Sequence, residues 1–281
     1  MRADTSIQPR GTSRMIDAGG IRLHALEYGH GEPTILVIPG ITSPAITWEF
    51  VAEELAAAAR VVVLDVRGRG LSDKPVSGFT LQDYANDVRS VAAAIAAGRL
   101  ILLGHSMGAR IAAAAVASDP EIASATIVVD PPLTGPGRPH YPFPLQVYVD
   151  ALHESRAGAT ADDMARYYPT WPRRELEIRA QWLATCDETA VVETYNNFHT
   201  EEFFERWSQV PPPVMFMYGS DSPVVPRESI AEIQATNPHA EIVEVPVAGH
   251  MIPFDNLAGF VTPVVTFVSR SGPTRTPGST S

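Results

Sequence analysis

The chain has 281 residues, of which 45% are hydrophobic and 19% are charged. This composition excludes an intrinsically disordered chain and provides enough apolar material for a large buried core in one or two domains. Twenty-one Lys and Arg residues against 32 Asp and Glu residues give a net charge of −11. A surface this acidic argues against nucleic acid or an anionic membrane face as a partner.

Cysteine content and hydropathy indicate the compartment. Cys186 is the only cysteine, so an internal disulfide is excluded and a reducing compartment is favoured. No apolar run reaches the ~18 residues of a membrane helix, and the polar residues Met1 to Arg14 lack the apolar centre of a signal peptide. We therefore expect a soluble, cytoplasmic protein.

Short β-branched runs alternate with longer segments of helical periodicity along the chain. Predicted strands are Ile21–Glu27, Thr34–Ile38, Arg60–Asp65, Arg99–Leu103, Ala125–Val129, Val214–Tyr218 and Glu241–Val245. Predicted helices are Thr47–Ala59, Thr80–Ala97, Met107–Ala117, Arg227–Ala235 and Leu257–Val268. Several strands are apolar on both faces, as in a sheet covered by helices on each side. The alternation predicts an α/β fold with a mainly parallel sheet.

The alternation stops between residues 134 and 211, a stretch without predicted strands that is rich in aromatic, proline and arginine residues. Proline-rich segments bound it at both ends. We interpret residues 134–211 as a helical lid insertion, and residues 1–133 and 212–270 as the α/β core. Residues 271–281 lack apolar periodicity and are predicted to form a disordered tail.

The strongest chemical signal is Gly104-His105-Ser106-Met107-Gly108, a G-x-S-x-G sequence between a predicted strand and a predicted helix. Small residues on both sides of the serine permit a sharp strand-to-helix turn that exposes its hydroxyl, and the helix N-terminus favours developing negative charge. This context predicts Ser106 as a catalytic nucleophile. A phosphate-binding or structural turn is the alternative.

A serine nucleophile needs a general base and an acid that orients the base. His250 follows the last predicted strand, at the sheet edge where strand C-termini meet, and is the predicted base. Asp130 and Asp221 each follow a strand as well, so spacing leaves both open as the acid. An aspartate that caps an ordinary turn is the simpler interpretation of Asp221.

An oxyanion hole requires two N–H donors. The amide of Met107, directly after the nucleophile, is the first candidate. The second is the amide of Ile41, because Gly40 permits an unusual turn after the strand Thr34–Ile38.

Together these residues resemble the α/β-hydrolase family from about Ile21 to Val268. Within it, the segments GITSPAITW, LDVRGRGLS, GHSMGAR, DPP with GPGR, and AGHMIP resemble the N-formylmaleamate deformylase family of bacterial nicotinic acid degradation. The resemblance implies a metal-free serine hydrolase that releases formate and maleamate through a Ser106-His250-Asp130 triad. It favours Asp130 as the acid, although Asp221 stands where that family lacks an aspartate and stays the alternative.

The implied substrate is a small anion, so the pocket should offer cationic or N–H donors. Arg110 and Arg138 are candidate carboxylate ligands, and Tyr141 and His140 are candidate hydrogen-bonding residues. Neither a P-loop nor an H-E-x-x-H pair occurs, and we expect no cofactor and no metal. The alternative functions are a carboxylesterase or lactonase with the same machinery, and a ligand receptor built on a hydrolase fold.

Overall fold

The computed structural model describes residues 6–95 and 98–271. Its strands are β1 Thr12–Asp17, β2 Arg22–Tyr28, β3 Thr34–Ile38, β4 Arg60–Asp65, β5 Leu100–His105, β6 Ala125–Val129, β7 Val214–Gly219 and β8 Glu241–Val245. Its α-helices are α1 Glu49–Leu55, α2 Leu81–Ile95, α3 Met107–Ser118, α4 Leu145–Arg156, α5 Ala161–Met164, α6 Arg173–Trp182, α7 Glu188–Asn197, α8 Phe203–Trp207, α9 Ile230–Thr236, α10 Ile252–Asp255 and α11 Leu257–Arg270.

The strands form one sheet in the order β1-β2-β4-β3-β5-β6-β7-β8. Strand β2 runs antiparallel to both β1 and β4, and every other neighbouring pair is parallel. The predicted α/β class with a mainly parallel sheet is therefore confirmed.

Helices cover both faces of the sheet, which explains why the central strands are apolar throughout. Within β3, Leu36 and Ile38 face the cluster that includes α2 and α3, whereas Ile35 and Val37 face the cluster that includes α1 and α11. Side chains of a strand point alternately to opposite faces, so a strand buried on both needs an unbroken apolar run.

Three features of the fold depart from the sequence interpretation. The helix expected over Arg227–Ala235 begins with a 3-10 turn at Arg227–Ser229, and α9 follows it. Strand β1 was not predicted, because it lies at the sheet edge and only Ile16 among its residues is buried. The helix expected over Thr47–Ala59 is shorter: a 3-10 turn at Ala45–Trp48 precedes α1. The tail expected at 271–281 lies outside the described residues except for Ser271, as do residues 96 and 97 of the second predicted helix.

Residues 134–211 contain α4 to α8 and no strand, all of them within the described part of the chain. This insertion joins the core between β6 and β7. Thr134 Oγ1 donates to the carbonyl of Phe198 at 2.6 Å, which ties the start of the insertion to the end of α7. Its action as a lid stays a prediction. No helix among the described residues is long and apolar enough to cross a membrane.

The order of the strands fixes where a site can form. The chain passes from β3 outward to β4 on one side and then returns to β5 on the other side of β3. Ligands of open α/β sheets bind at such a switch point, beyond the carboxyl ends of the strands. Ile38 at the end of β3 pairs with Gly104 near the end of β5, so the loops after these two strands are adjacent.

Candidate active site

Ser106 occupies the turn between β5 and α3 with φ 56° and ψ −119°. A positive φ is rare for a residue with a side chain and is characteristic of strained functional turns. The turn requires glycine beside it, because a Cβ at Gly108 would lie 1.8 Å from the carbonyl oxygen of Ile38. A Cβ at Gly104 would lie 2.1 Å from the carbonyl oxygen of Gly108. The glycines of the G-x-S-x-G sequence are therefore explained by close backbone packing.

The predicted base, acid and nucleophile lie within hydrogen-bonding distance of one another. His250 Nε2 is 3.0 Å from Ser106 Oγ, and His250 Nδ1 is 2.7 Å from Asp130 Oδ2. This arrangement links a hydroxyl, an imidazole and a carboxylate in the geometry that can move a proton from the serine.

Asp130 is fully buried at the end of β6, and its φ of 47° marks another tight turn. Its carboxylate accepts hydrogen bonds from Ser222 Oγ at 2.6 Å and from the amide of Gly219 at 3.4 Å. Asp221, the alternative acid, has an exposed side chain. Its backbone amide donates to the carbonyl of Ala248 at 2.9 Å. The structure thus pairs His250 with Asp130, while Asp221 braces the loop that carries His250.

His105 is a neighbour of the triad that the sequence analysis passed over, because it is the variable residue of the G-x-S-x-G sequence. It is buried, and its Nε2–H donates to the backbone carbonyl of His250 at 2.8 Å. Its ring lies 5.4 Å from the ring of Trp48 and 5.0 Å from that of His250. Burial, with a smaller contribution from His250, lowers the pKa of His105 to about 3. A neutral imidazole therefore supports the backbone of the loop that carries His250.

Both segments expected to supply the oxyanion hole lie beside Ser106. Met107 begins α3, and the first N–H groups of a helix have no partner inside it. A Cβ built on Gly40 would lie 3.4 Å from Ser106 Cβ, so the Gly40-Ile41 segment passes close to the nucleophile. Arg69 Nε donates to the carbonyl of Ile41 at 2.9 Å, which fixes the next peptide, between Ile41 and Thr42.

Ser106 and His250 open onto a cavity of about 150 Å³ between the core and the insertion. An apolar cavity of this volume takes up a molecule the size of benzene. The core contributes the loop after β3 and the triad, and the insertion contributes aromatic side chains and one arginine. The lining residues are Gly40, Ile41, Thr42, Ser43, His105, Ser106, Phe143, Val147, Tyr148, Ala151, Tyr167, Tyr168, Arg179, His250 and Met251.

Tyr141 lies at the triad itself. Its Oη is 3.3 Å from His250 Nε2 and accepts a hydrogen bond from Tyr148 Oη at 3.2 Å. Burial raises the pKa of Tyr141 well above its ordinary value, so the hydroxyl keeps its proton. A neutral phenol here has a proton to donate near the reacting oxygen.

The other three candidate binding residues lie away from this cavity. The guanidinium of Arg110 is buried, and it donates to backbone carbonyls such as those of Pro132 at 3.1 Å and Glu201 at 2.5 Å. Arg138 forms ion pairs with Glu202, which precedes α8, and with Glu232 of α9, and it stacks over an aromatic ring. His140 is exposed and packs against the ring of His199. Their positions give no support to a role in substrate binding.

Sequence reasoning missed Arg179, which lines the cavity from α6. The helix lies in the insertion, 73 positions beyond the nucleophile, and no motif marks the residue. Across residues 6–95 and 98–271, no group of three or more His, Cys, Asp or Glu side chains is arranged to hold a metal ion.

Two known proteins are similar to this chain over most of their length and of its own. The chain is 42% identical to an N-formylmaleamate deformylase of Pseudomonas putida over 246 residues, 87% of this chain and 92% of the relative. It is 29% identical to a 2-(acetamidomethylene)succinate hydrolase of Mesorhizobium japonicum over 259 residues, 85% of this chain and 89% of the relative.

A solved structure is similar as well. The crystal structure of a serine-to-alanine variant of the N-formylmaleamic acid deformylase of Pseudomonas putida S16 superposes with a TM-score of 0.87 and 41% identity. It covers 90% of this chain and 100% of the other. The family model for the alpha/beta hydrolase fold matches residues 33–257. The chain therefore belongs to the α/β-hydrolase family and is a hydrolase.

Proposed function

We propose that the protein hydrolyses a small N-formyl amide, N-formylmaleamate, to formate and maleamate through a Ser106-His250-Asp130 triad. The observation that carries the proposal is the continuous hydrogen-bonded chain from Asp130 through His250 to Ser106, at the wall of a small cavity. The 42% identity to a deformylase over most of both chains supports the choice of the amide. A small-molecule substrate fits the dimensions of the cavity.

In the first half of the proposed reaction, Ser106 Oγ attacks the formyl carbon while His250 Nε2 takes the hydroxyl proton. The C=O π electrons move to oxygen, and the amides of Met107 and Ile41 donate hydrogen bonds to the resulting oxyanion. Donors fixed in place before the reaction are worth about 10²–10³-fold in rate each. Asp130 stabilises the imidazolium that forms and keeps Nε2 directed at the serine.

Collapse of the tetrahedral intermediate breaks the C–N bond. His250 then gives its proton to the departing amide nitrogen, so that maleamate leaves with a neutral carboxamide and the formyl group stays on Ser106 as an ester. The hydroxyl of Tyr141, 3.3 Å from Nε2, lies where it can also bind the leaving group.

The second half mirrors the first. Water donates a proton to His250 and attacks the formyl ester, and the same amides bind the oxyanion. Collapse returns the proton to Ser106 Oγ and releases formate. Because the formyl carbon carries only hydrogen, a narrow acyl pocket would select for it.

We also propose that the insertion acts as a lid. It supplies Phe143, Val147, Tyr148, Tyr168 and Arg179 to the cavity wall, so substrate entry requires passage between core and insertion. Exclusion of bulk water protects the acyl-enzyme from side reactions and strengthens the electrostatic interactions within the site.

Formate release from N-formylmaleamate tests the proposal, with p-nitrophenyl acetate as a parallel substrate. We expect rapid formate release that falls at least 10⁴-fold in Ser106→Ala. Ser118→Ala is the matched control, because Ser118 is the last residue of α3, at the opposite end of the helix from Ser106, and it should keep full activity. Ester cleavage without formate release would replace the deformylase by a carboxylesterase or lactonase. Ligand binding without turnover of either substrate would favour a receptor.

A further inference from the structure

Arg179 is a buried cation without an anionic partner. Its side chain is 3% exposed and lines the same cavity as Ser106. Its Nη1 donates to the carbonyl of Thr42, and its Nη2 donates to Thr42 Oγ1 at 2.8 Å and Tyr168 Oη at 3.0 Å. The Nε–H has no hydrogen-bond partner. Throughout the part of the chain that is described, no carboxylate lies within 4.0 Å of this guanidinium.

Other arginines nearby show that the fold usually satisfies such groups. Arg69 is fully buried, yet each of its three nitrogens donates inside the protein, for example Nε to Ile41 and Nη2 to Thr194. Arg174, on the same helix as Arg179, forms an ion pair with Glu49 at 2.5 Å. A guanidinium is always charged, and a buried charge is costly unless it is paired. Among the described residues Arg69 has no carboxylate partner either, but all of its nitrogens donate. Arg179 differs by its unpaired Nε–H and by its place in the wall of the cavity.

We propose that Arg179 binds a carboxylate of the substrate and makes the cavity selective for small, carboxylate-bearing acyl amides. The inference rests on the proposed function for the reaction itself, and on the geometry of Arg179 for the ligand class. Arg179 is the only Lys, Arg, Asp or Glu among the lining residues, so the cavity has a single charged anchor. Its hydrogen bonds to Thr42 and Tyr168 hold the guanidinium plane in a fixed orientation.

The anchor also explains how a substrate is oriented. Arg179 reaches the cavity from α6 in the insertion, whereas Ser106 and His250 belong to the core. A ligand with a carboxylate at one end and an acyl amide at the other would span from the insertion to the nucleophile. Binding at the charged end thereby helps to place the carbonyl for attack.

Binding of two non-reacting ligands tests this directly. Maleamate and maleamide differ only in a carboxylate that becomes a carboxamide, and titration calorimetry with the intact protein measures each Kd. Hydrogen bonds to charged groups are strong enough that we expect maleamate to bind about 10- to 100-fold more tightly. Arg179→Gln should remove this preference while the Kd of maleamide changes by less than about threefold.

Arg173→Gln is the matched control, because it makes the same change on the same helix at an exposed position and should leave both Kd values unchanged. Arg179→Lys keeps the charge and should retain part of the preference. Equal binding of the two ligands to the unmodified protein, or a preference that survives in Arg179→Gln, would overturn the proposal. The comparison on the unmodified protein decides the charge preference even if both variants fail to fold.

The two assays distinguish failure of the proposed deformylase reaction from failure of the proposed carboxylate binding by Arg179. Absence of formate release together with selective, Arg179-dependent binding of maleamate would reject N-formylmaleamate as the substrate and retain the anion site. Formate release without charge selectivity would retain N-formylmaleamate as the substrate and reject the anion site at Arg179. A positioning effect through the Thr42 loop would lower kcat in Arg179→Gln equally for anionic substrate and neutral ester, whereas loss of the anchor raises KM for the anionic substrate alone.

Discussion

Replacement of Asp130 by asparagine changes the tautomer of His250, and its effect follows from three hydrogen bonds. Asp130 Oδ1 accepts from the amide of Gly219, and Oδ2 accepts from both His250 Nδ1 and Ser222 Oγ. The N–H of Gly219 can only donate, whereas the hydroxyl of Ser222 can also accept, so an asparagine places its oxygen at the Oδ1 position. Its NH₂ group then faces His250 Nδ1 as a donor.

A donor at this position forces the proton of the imidazole onto Nε2. Nε2 then donates to Ser106 Oγ instead of accepting its proton, so the base is lost although the geometry is preserved. In a serine protease the corresponding change lowers kcat about 10⁴-fold. We expect a decrease of similar size in Asp130→Asn, about 5.4 kcal/mol in activation free energy.

Asp221→Asn is the matched control, because its side chain is exposed and its backbone contact to Ala248 survives the substitution. We expect less than a threefold change in kcat. The assay is formate release followed by a coupled dehydrogenase, with circular dichroism and thermal unfolding to establish that each variant is folded. An Asp130→Asn variant that retains a tenth of the original kcat would refute the reasoning. So would a hundredfold loss in Asp221→Asn.

Three further substitutions probe the surroundings of the triad. Gly108→Ala should destabilise the fold by about 3 kcal/mol in denaturant titrations, because the new Cβ meets the carbonyl of Ile38; an unchanged midpoint would contradict this packing. Tyr141→Phe should lower kcat/KM about 3- to 10-fold by removing a hydroxyl beside His250 Nε2, and unaltered kinetics would exclude its participation. Below pH ~6.5 the unfolded chain binds a proton at His105 that the folded chain, with a pKa of about 3, does not bind. The free energy of unfolding should therefore fall with decreasing pH between these values, by up to about 1.4 kcal/mol per pH unit. The free energy of unfolding of His105→Gln should fall less steeply. Equal pH slopes for the two proteins would reject a buried neutral imidazole.

Elements with strong local signals were predictable from the sequence. Strands such as Arg60–Asp65 and Ala125–Val129 have the bounds that their apolar runs indicated, because a strand buried on both faces admits few polar residues. The turn at Ser106 was marked by glycines whose absence of a Cβ is a local steric requirement. Strand β1 gave no such signal, because an edge strand with one buried residue needs no apolar pattern.

Arginines show the limit of sequence reasoning at this site. Arg110 and Arg138 lie near recognisable segments. The guanidinium of Arg110 donates to backbone carbonyls, however, and that of Arg138 forms ion pairs with glutamates. Arg179 stands in no motif and lines the cavity. Whether a guanidinium is free depends on which acceptors the fold brings within about 3 Å, and those acceptors come from distant parts of the chain.

The sequence by itself determined the fold class and predicted the turn at Ser106 and the histidine after the last strand as parts of a site, since each depends on residues that are close together in the chain. Only the tertiary structure paired His250 with Asp130 rather than Asp221, two aspartates that occupy equivalent positions after neighbouring strands. It also decided which side chains of the insertion reach the cavity. The physical reason is that a hydrogen bond selects its partner by distance and direction in space, and the folding of the insertion onto the sheet sets both.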